Sequence, residues 1–146
     1  MTPSPSGPRR SLPLLREEPP ALHRAVLFEV LQAVDQYLET GESAAIDLRS
    51  LPMTPPDRAE LERKLGRGEI TMHLAIAGDS EVWETRFAGV WWVRHRGPDG
   101  AVIAESLEIG LVPSIVHAQP QDVSDGYKRL RRELRVHVDG SFEASA

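Results

Sequence analysis

Five histidines, His23, His73, His95, His117 and His137, are the candidate metal ligands of this chain, which contains no cysteine. None stands in the HxxxH or HExxH spacing that sets two ligands on one helix face. A metal would therefore need ligands gathered from separate segments. His73 and His95 can meet across a sheet, with Glu105 as a carboxylate partner, and that trio would serve a small metal-dependent enzyme. The absence of cysteine excludes disulfides, zinc fingers, dithiol redox chemistry and thiolate-held iron–sulfur clusters within the chain. The expectation is no cofactor and no bound metal.

Other chemistry finds little support in the spacing. Gly66 and Gly68 lack the third glycine of GxGxxG, because Thr71 stands there. A helix precedes them and a strand follows, the reverse of a phosphate cradle, so they mark a helix stop. No GxSxG elbow exists for serine hydrolysis. Glu105 and Glu108 are three apart on a strand and face opposite sides, so they cannot converge on one bond. Lys128, Arg129, Arg131, Arg132 and Arg135 form a basic cluster. It offers an alternative function as a nucleic-acid-binding α+β module, against the simpler explanation of a solvated helix face near the negative end of its dipole. The net charge of −5 weighs against general nucleic-acid binding. No catalytic residue is assigned, and the chain is not expected to be an enzyme.

Trp91-Trp92 is the informative pair. Neighbours on a strand point to opposite faces, so one covered face cannot bury both. The spacing is taken to turn Trp91 and Val93 toward the helices. Val90 and Trp92 then form an exposed apolar patch, the candidate partner-binding site, where a second copy could also pair.

The elements that position these residues follow from periodicity. The chain has 146 residues, 40% of them hydrophobic, enough for one domain with a core. Six prolines within residues 1–20 mark a flexible leader, and residues 139–146 are expected to fray. Removing residues 1–18 should leave the melting temperature within a few degrees. Arg9-Arg10 is not followed by the apolar run of an export signal, and no segment is apolar enough to cross a membrane. A cytoplasmic location is expected.

Within residues 21–138, the first helix covers residues 21–39, with Leu27, Leu31, Val34 and Leu38 as its stripe and Val26, Val30 and Tyr37 widening it. Residues 44–48 form a short strand. Thr54, Pro55 and Asp57 open a second helix as a hydroxyl cap, a first-turn proline and a carboxylate at the positive end of the dipole. Leu61 and Leu65 are its apolar face. Residues 69–109 are β-rich, punctuated by Gly78-Asp79, Gly89 and the strong turn Gly97-Pro98-Asp99-Gly100. Ile103, Leu107 and Ile109 share one side of the last strand. Residues 113–117 make one helical turn, and Pro120 opens a last helix with Val123, Tyr127, Leu130 and Leu134 as its apolar face. The fold class is α+β: an antiparallel meander of four to five strands with helices mainly on one face, a two-layer sandwich.

Several segments in this order resemble the C-terminal region of HupH/HyaF-type hydrogenase expression proteins. They are Ile46-Asp47-Leu48 with Leu51-Pro52, Leu65-Gly66-Arg67-Gly68-Glu69-Ile70, the run from Glu84-Thr85-Arg86-Phe87-Ala88-Gly89 into Val90-Trp91-Trp92-Val93, and Glu105-Ser106-Leu107-Glu108-Ile109. Pro113 and the stretch over residues 118–125 follow. The resemblance spans about residues 44–130 and implies a hydrogenase maturation chaperone that works by protein binding. Its implied partners are the immature small subunit and other maturation proteins, and its implied role is to assist or shield iron–sulfur assembly under oxygen. The family has no established catalytic residues to carry over. Longer members look like two copies of this unit. A one-copy chain can then pair with itself as a homodimer; no nucleic-acid partner is expected from the net charge of −5, and no membrane partner from the lack of an apolar span.

Overall fold

The computed structural model describes residues 21–75 and 78–134. Residues 1–20 and 139–146, for which a leader and a frayed tail were expected, lie outside them, as do Arg135 and His137. The elements are α1 (Leu22–Thr40), β1 (Ala44–Asp47), α2 (Pro55–Leu65), β2 (Thr71–Ala75), β3 (Asp79–Glu84), β4 (Val90–Arg96) and β5 (Val102–Ile109). A single 3-10 turn, Ser114–Val116, and α3 (Pro120–Glu133) complete the order.

All strand pairs are antiparallel, in the order β1-β5-β4-β3-β2. β2 to β5 form the meander, and β1 adds to the outer side of β5. This is the α+β architecture expected, with α1 and α2 layered on one face.

The helix ends follow local chemistry. Gly41 closes α1 at φ 73°, donating its N–H to the Tyr37 carbonyl at 2.8 Å. Thr54 and Asp57 form a reciprocal capping box at the start of α2, with Thr54 Oγ1 accepting from the Asp57 N–H at 3.2 Å. The Asp57 carboxyl also accepts from the Thr54 backbone N–H and hydroxyl. Those bonds, led by the Thr54 hydroxyl and joined by His23, hold its pKa below the usual carboxylate value.

The main core lies between the helices and the sheet. It joins Val26 and Val30 of α1 to Leu61 and Leu65 of α2, and seats them on Ile46, Trp83, Val90, Trp92, Leu107 and Ile109. Burying each Val or Leu contributes roughly 1.5–3 kcal/mol. A smaller cluster on the other sheet face joins Val82, Trp91 and Val93 to Met72, Leu74 and Ile115.

Three side-chain expectations are corrected. Val90 and Trp92, not Trp91 and Val93, face α1 and α2. On α1, Val26 and Val30 are buried, whereas Leu31 and Leu38 are 63% and 77% exposed. That helix is apolar around more than half its circumference, and only one sector meets the sheet. Ile103 is exposed, unlike Leu107 and Ile109, because the β4–β5 register shifts between His95 and Arg96 and breaks the alternation.

Candidate functional site

Trp92 is fully buried, and Val90 is 1% exposed. The apolar patch expected at these two residues is not on the surface; both belong to the main core. Trp92 stacks on Trp83, its cross-strand partner, with ring centroids 5.4 Å apart and planes 9° off parallel. Trp91 reaches the other face and donates its Nε1–H to the Gly110 carbonyl at 3.0 Å.

Beneath the stack lies a buried carboxylate. Glu105 accepts from Trp92 Nε1 at 3.1 Å and from Arg94 Nε at 2.5 Å, and its other oxygen faces the Arg58 guanidinium. Arg94 also reaches Glu62 at 3.2 Å and lies 4.9 Å over the Trp83 ring. Arg67 covers Trp83 at 3.9 Å and donates to Glu81 at 2.6 Å. That bond holds the Glu81 carboxyl below its ordinary value. Two guanidiniums neutralise Glu105 and hold it on the core side of β5, so the cluster braces α2 against the sheet. Glu105 itself, 3% exposed, is closed to a substrate.

The histidine trio is not assembled. His73 stands opposite Glu81, on the Trp83 face, while His95 shares the other face with Trp91 and Val93 and meets Ser80 at 2.9 Å. Glu105 lies on the Trp83 face, across the sheet from His95. Among the described residues no group of three metal-ligating side chains comes together. Glu108 faces away from Glu105 and accepts from the Ser114 N–H at 2.9 Å, as the strand spacing required.

The glycine motifs prove to be joints. Gly66 ends α2 at φ 62°. A Cβ on Gly68 would sit 2.6 Å from the Thr85 carbonyl oxygen, and the Gly68 N–H donates to the Glu84 carbonyl at 2.7 Å. The Arg86 N–H in turn donates to the Leu65 carbonyl at 2.9 Å. The segment after α2 therefore locks onto the segment after β3, and only glycine fits at position 68.

What remains for function is surface. An open groove of about 520 Å³ runs between α1 and α2, lined by Leu27, Phe28 and Leu31 and edged by Arg24, Glu60 and Lys64. α3 is more unusual, for none of its residues is buried. Val123, Tyr127, Leu130 and Leu134 recur at helical spacing, and each is more than half exposed. The apolar face expected of the last helix exists, but it does not pack on the sheet. The basic run of this helix, Lys128 to Arg132, is flanked by Asp122 and Asp125 before it and Glu133 after it. Lys128 pairs with Asp125 at 3.4 Å, and Arg131 lies 5.5 Å over the Tyr127 ring. No sequence signal distinguished this helix from one that packs, because its stripe has the same period as α1.

Residues 22–137 match the family described as HupH hydrogenase expression protein, C-terminal conserved region. The chain belongs to the HupH family. It is 32% identical to the hydrogenase expression/formation protein HoxQ of Azotobacter vinelandii, over 87% of this chain and 46% of that relative. It is 34% identical to the hydrogenase-1 operon protein HyaF of Escherichia coli, over 59% of this chain and 30% of that relative. A solved structure of hydrogenase expression protein HupH from Thiobacillus denitrificans superposes with a TM-score of 0.76 at 36% identity, covering 80% of this chain and 97% of that one. The chain spans less than half the length of the curated relatives just named. Of the segments that carried the resemblance, residues 65–70 and 84–89 form the joint between the ends of α2 and β3, and residues 90–93 with 105–109 form the buried β4–β5 core.

Proposed function

We propose that this chain is a non-enzymatic accessory protein of nickel–iron hydrogenase maturation, acting in the cytoplasm. It holds the immature small subunit while iron–sulfur clusters are installed, and works beside other maturation proteins. The match of residues 22–137 to the HupH C-terminal region carries this proposal. Without cysteine the chain has no thiolates with which to hold a cluster itself, so its contribution is to hold and shield the partner. The apolar stripe of α3 is the surface assigned to that partner, since its large side chains lie outside the core.

The test is capture of the immature small subunit by the purified chain and by Tyr127→Asp and Leu130→Asp variants. The unaltered chain should retain the subunit, and both variants should lose it while melting as before. Failure of the unaltered chain overturns the function. Capture that survives both substitutions overturns the role of α3.

A further inference from the structure

The two edges of the sheet are not equivalent. In an antiparallel ladder, residues alternate between bonding one neighbour strand and bonding the other side. The Glu84 N–H donates to the Ile70 carbonyl at 2.9 Å, and Met72 stands opposite Val82 and Leu74 opposite Ser80. Met72 and Leu74 therefore bond β3. The N–H and C=O groups of Thr71, His73 and Ala75 point away from it, to the open edge. No other described strand pairs with that side of β2.

The opposite edge is blunted. Leu48 bonds Glu105, so Ala45 and Asp47 point outward on β1. The Asp47 carbonyl is already taken by Ser50 Oγ at 2.9 Å, and its carboxylate by the Arg49 N–H. β2 has no comparable device. It contains no charged residue, no proline and no bulge, the features by which edge strands resist pairing.

We propose that β2 pairs with β2 of a second copy of this chain, antiparallel about a two-fold axis at His73. An axis at His73, the middle of the three outward residues, is the self-complementary register that pairs all of them. Centred on His73, each outward residue exchanges both backbone bonds with its opposite: His73 with its own copy, Thr71 with Ala75. Met72 then stands beside the second copy's Leu74. Both are half-buried and belong to the smaller apolar cluster, which this pairing continues across the axis. No like charges oppose one another on the paired strands. The product is one ten-stranded sheet, and the interface is isologous and closed, so it stops at a dimer. The proposal stands apart from the hydrogenase partner and leaves α3 free.

Sedimentation of the full chain across a wide concentration range should show a monomer–dimer equilibrium. His73→Pro removes an edge N–H without touching the β3 ladder and should raise the dimer dissociation constant about tenfold or more, since each dimer loses two hydrogen bonds. His73→Thr, which keeps the N–H, should dimerise as the unaltered chain does. Because the chain lacks cysteine, His73→Cys places one thiol beside the axis. A short bismaleimide should link that variant into dimers and leave Ala45→Cys, on the other edge, monomeric. A chain that stays monomeric at every concentration overturns the proposal. So does a dimer indifferent to His73→Pro. If His73→Pro fails to fold, the cross-linking pair decides, and equal linking of both variants overturns the pairing.

Discussion

Trp92 shows how one strand residue can mislead. Val90 to Val93 are buried in succession, so β4 by itself carries no sign of which face meets the helices. The neighbouring strand does. Leu107 and Ile109 stand opposite Trp92 and Val90, whereas Ser106 and Glu108 stand opposite Val93 and Trp91. The more apolar alternate of β5 marks the helix side. Trp92→Ala should therefore cost about 3–5 kcal/mol, as a core truncation does, and calorimetry of the mutant checks it. A mutant that melts normally but loses self-association would restore the surface role. Gly68→Ala should cost about 1–3 kcal/mol, because its new methyl meets the Thr85 backbone and not a side chain able to move. Denaturant titration measures that loss.

At the scale of elements, α2 and α3 were equally legible as helices and differ in what surrounds them. α2 starts on a capping box, and Thr54→Ala should cost about 1 kcal/mol, or about 2–4 °C in melting temperature for a chain of this size. α3 answers differently. Its apolar side chains are mostly solvent-exposed, so Leu130→Ser should change stability by no more than about 0.5 kcal/mol. A loss several times larger would mean that α3 docks on the domain. The buried Leu61 and Leu65 of α2, the turn at Gly97 and the stop at Gly66 were visible from residue type and period, whereas the stripe read on α1 put Leu31 and Leu38 in the core, where they are not. The β-bulge was not: Ala104 stands opposite His95 and Val102 opposite Arg96, which leaves Ile103 as the extra residue on β5, and no residue type there signals it.

For the whole molecule, electrostatics set an acid limit. The carboxyls of Glu81 and Asp57 are held below their ordinary values, the first chiefly by Arg67 and the second chiefly by the Thr54 hydroxyl. A carboxylate depressed in the folded state contributes stability that is complete above its unfolded pKa of about 4 and is lost as pH falls through the folded value. Melting temperature should thus hold from neutrality to about pH 5 and fall below that. Arg67→Ala should remove the Glu81 share, so that the gap between mutant and unaltered chain narrows in acid. A gap that stays constant with pH would refute the ion pair. Zinc, in turn, should leave the melting temperature unchanged, because His73 and His95 lie on opposite faces of the sheet; a stoichiometric rise would overturn that placement.

The sequence by itself determined the element order, the α+β class, the helix boundaries and the family, because these depend on local period, caps, turns and motif order. It also ruled out thiolate chemistry by having no cysteine. Only the tertiary structure decided which face of β4 the helices cover, that Glu105 is buried between two arginines, and that α3 lies outside the core. Those depend on strand register and on which surfaces meet, and a period of two or of 3.6 is indifferent to both.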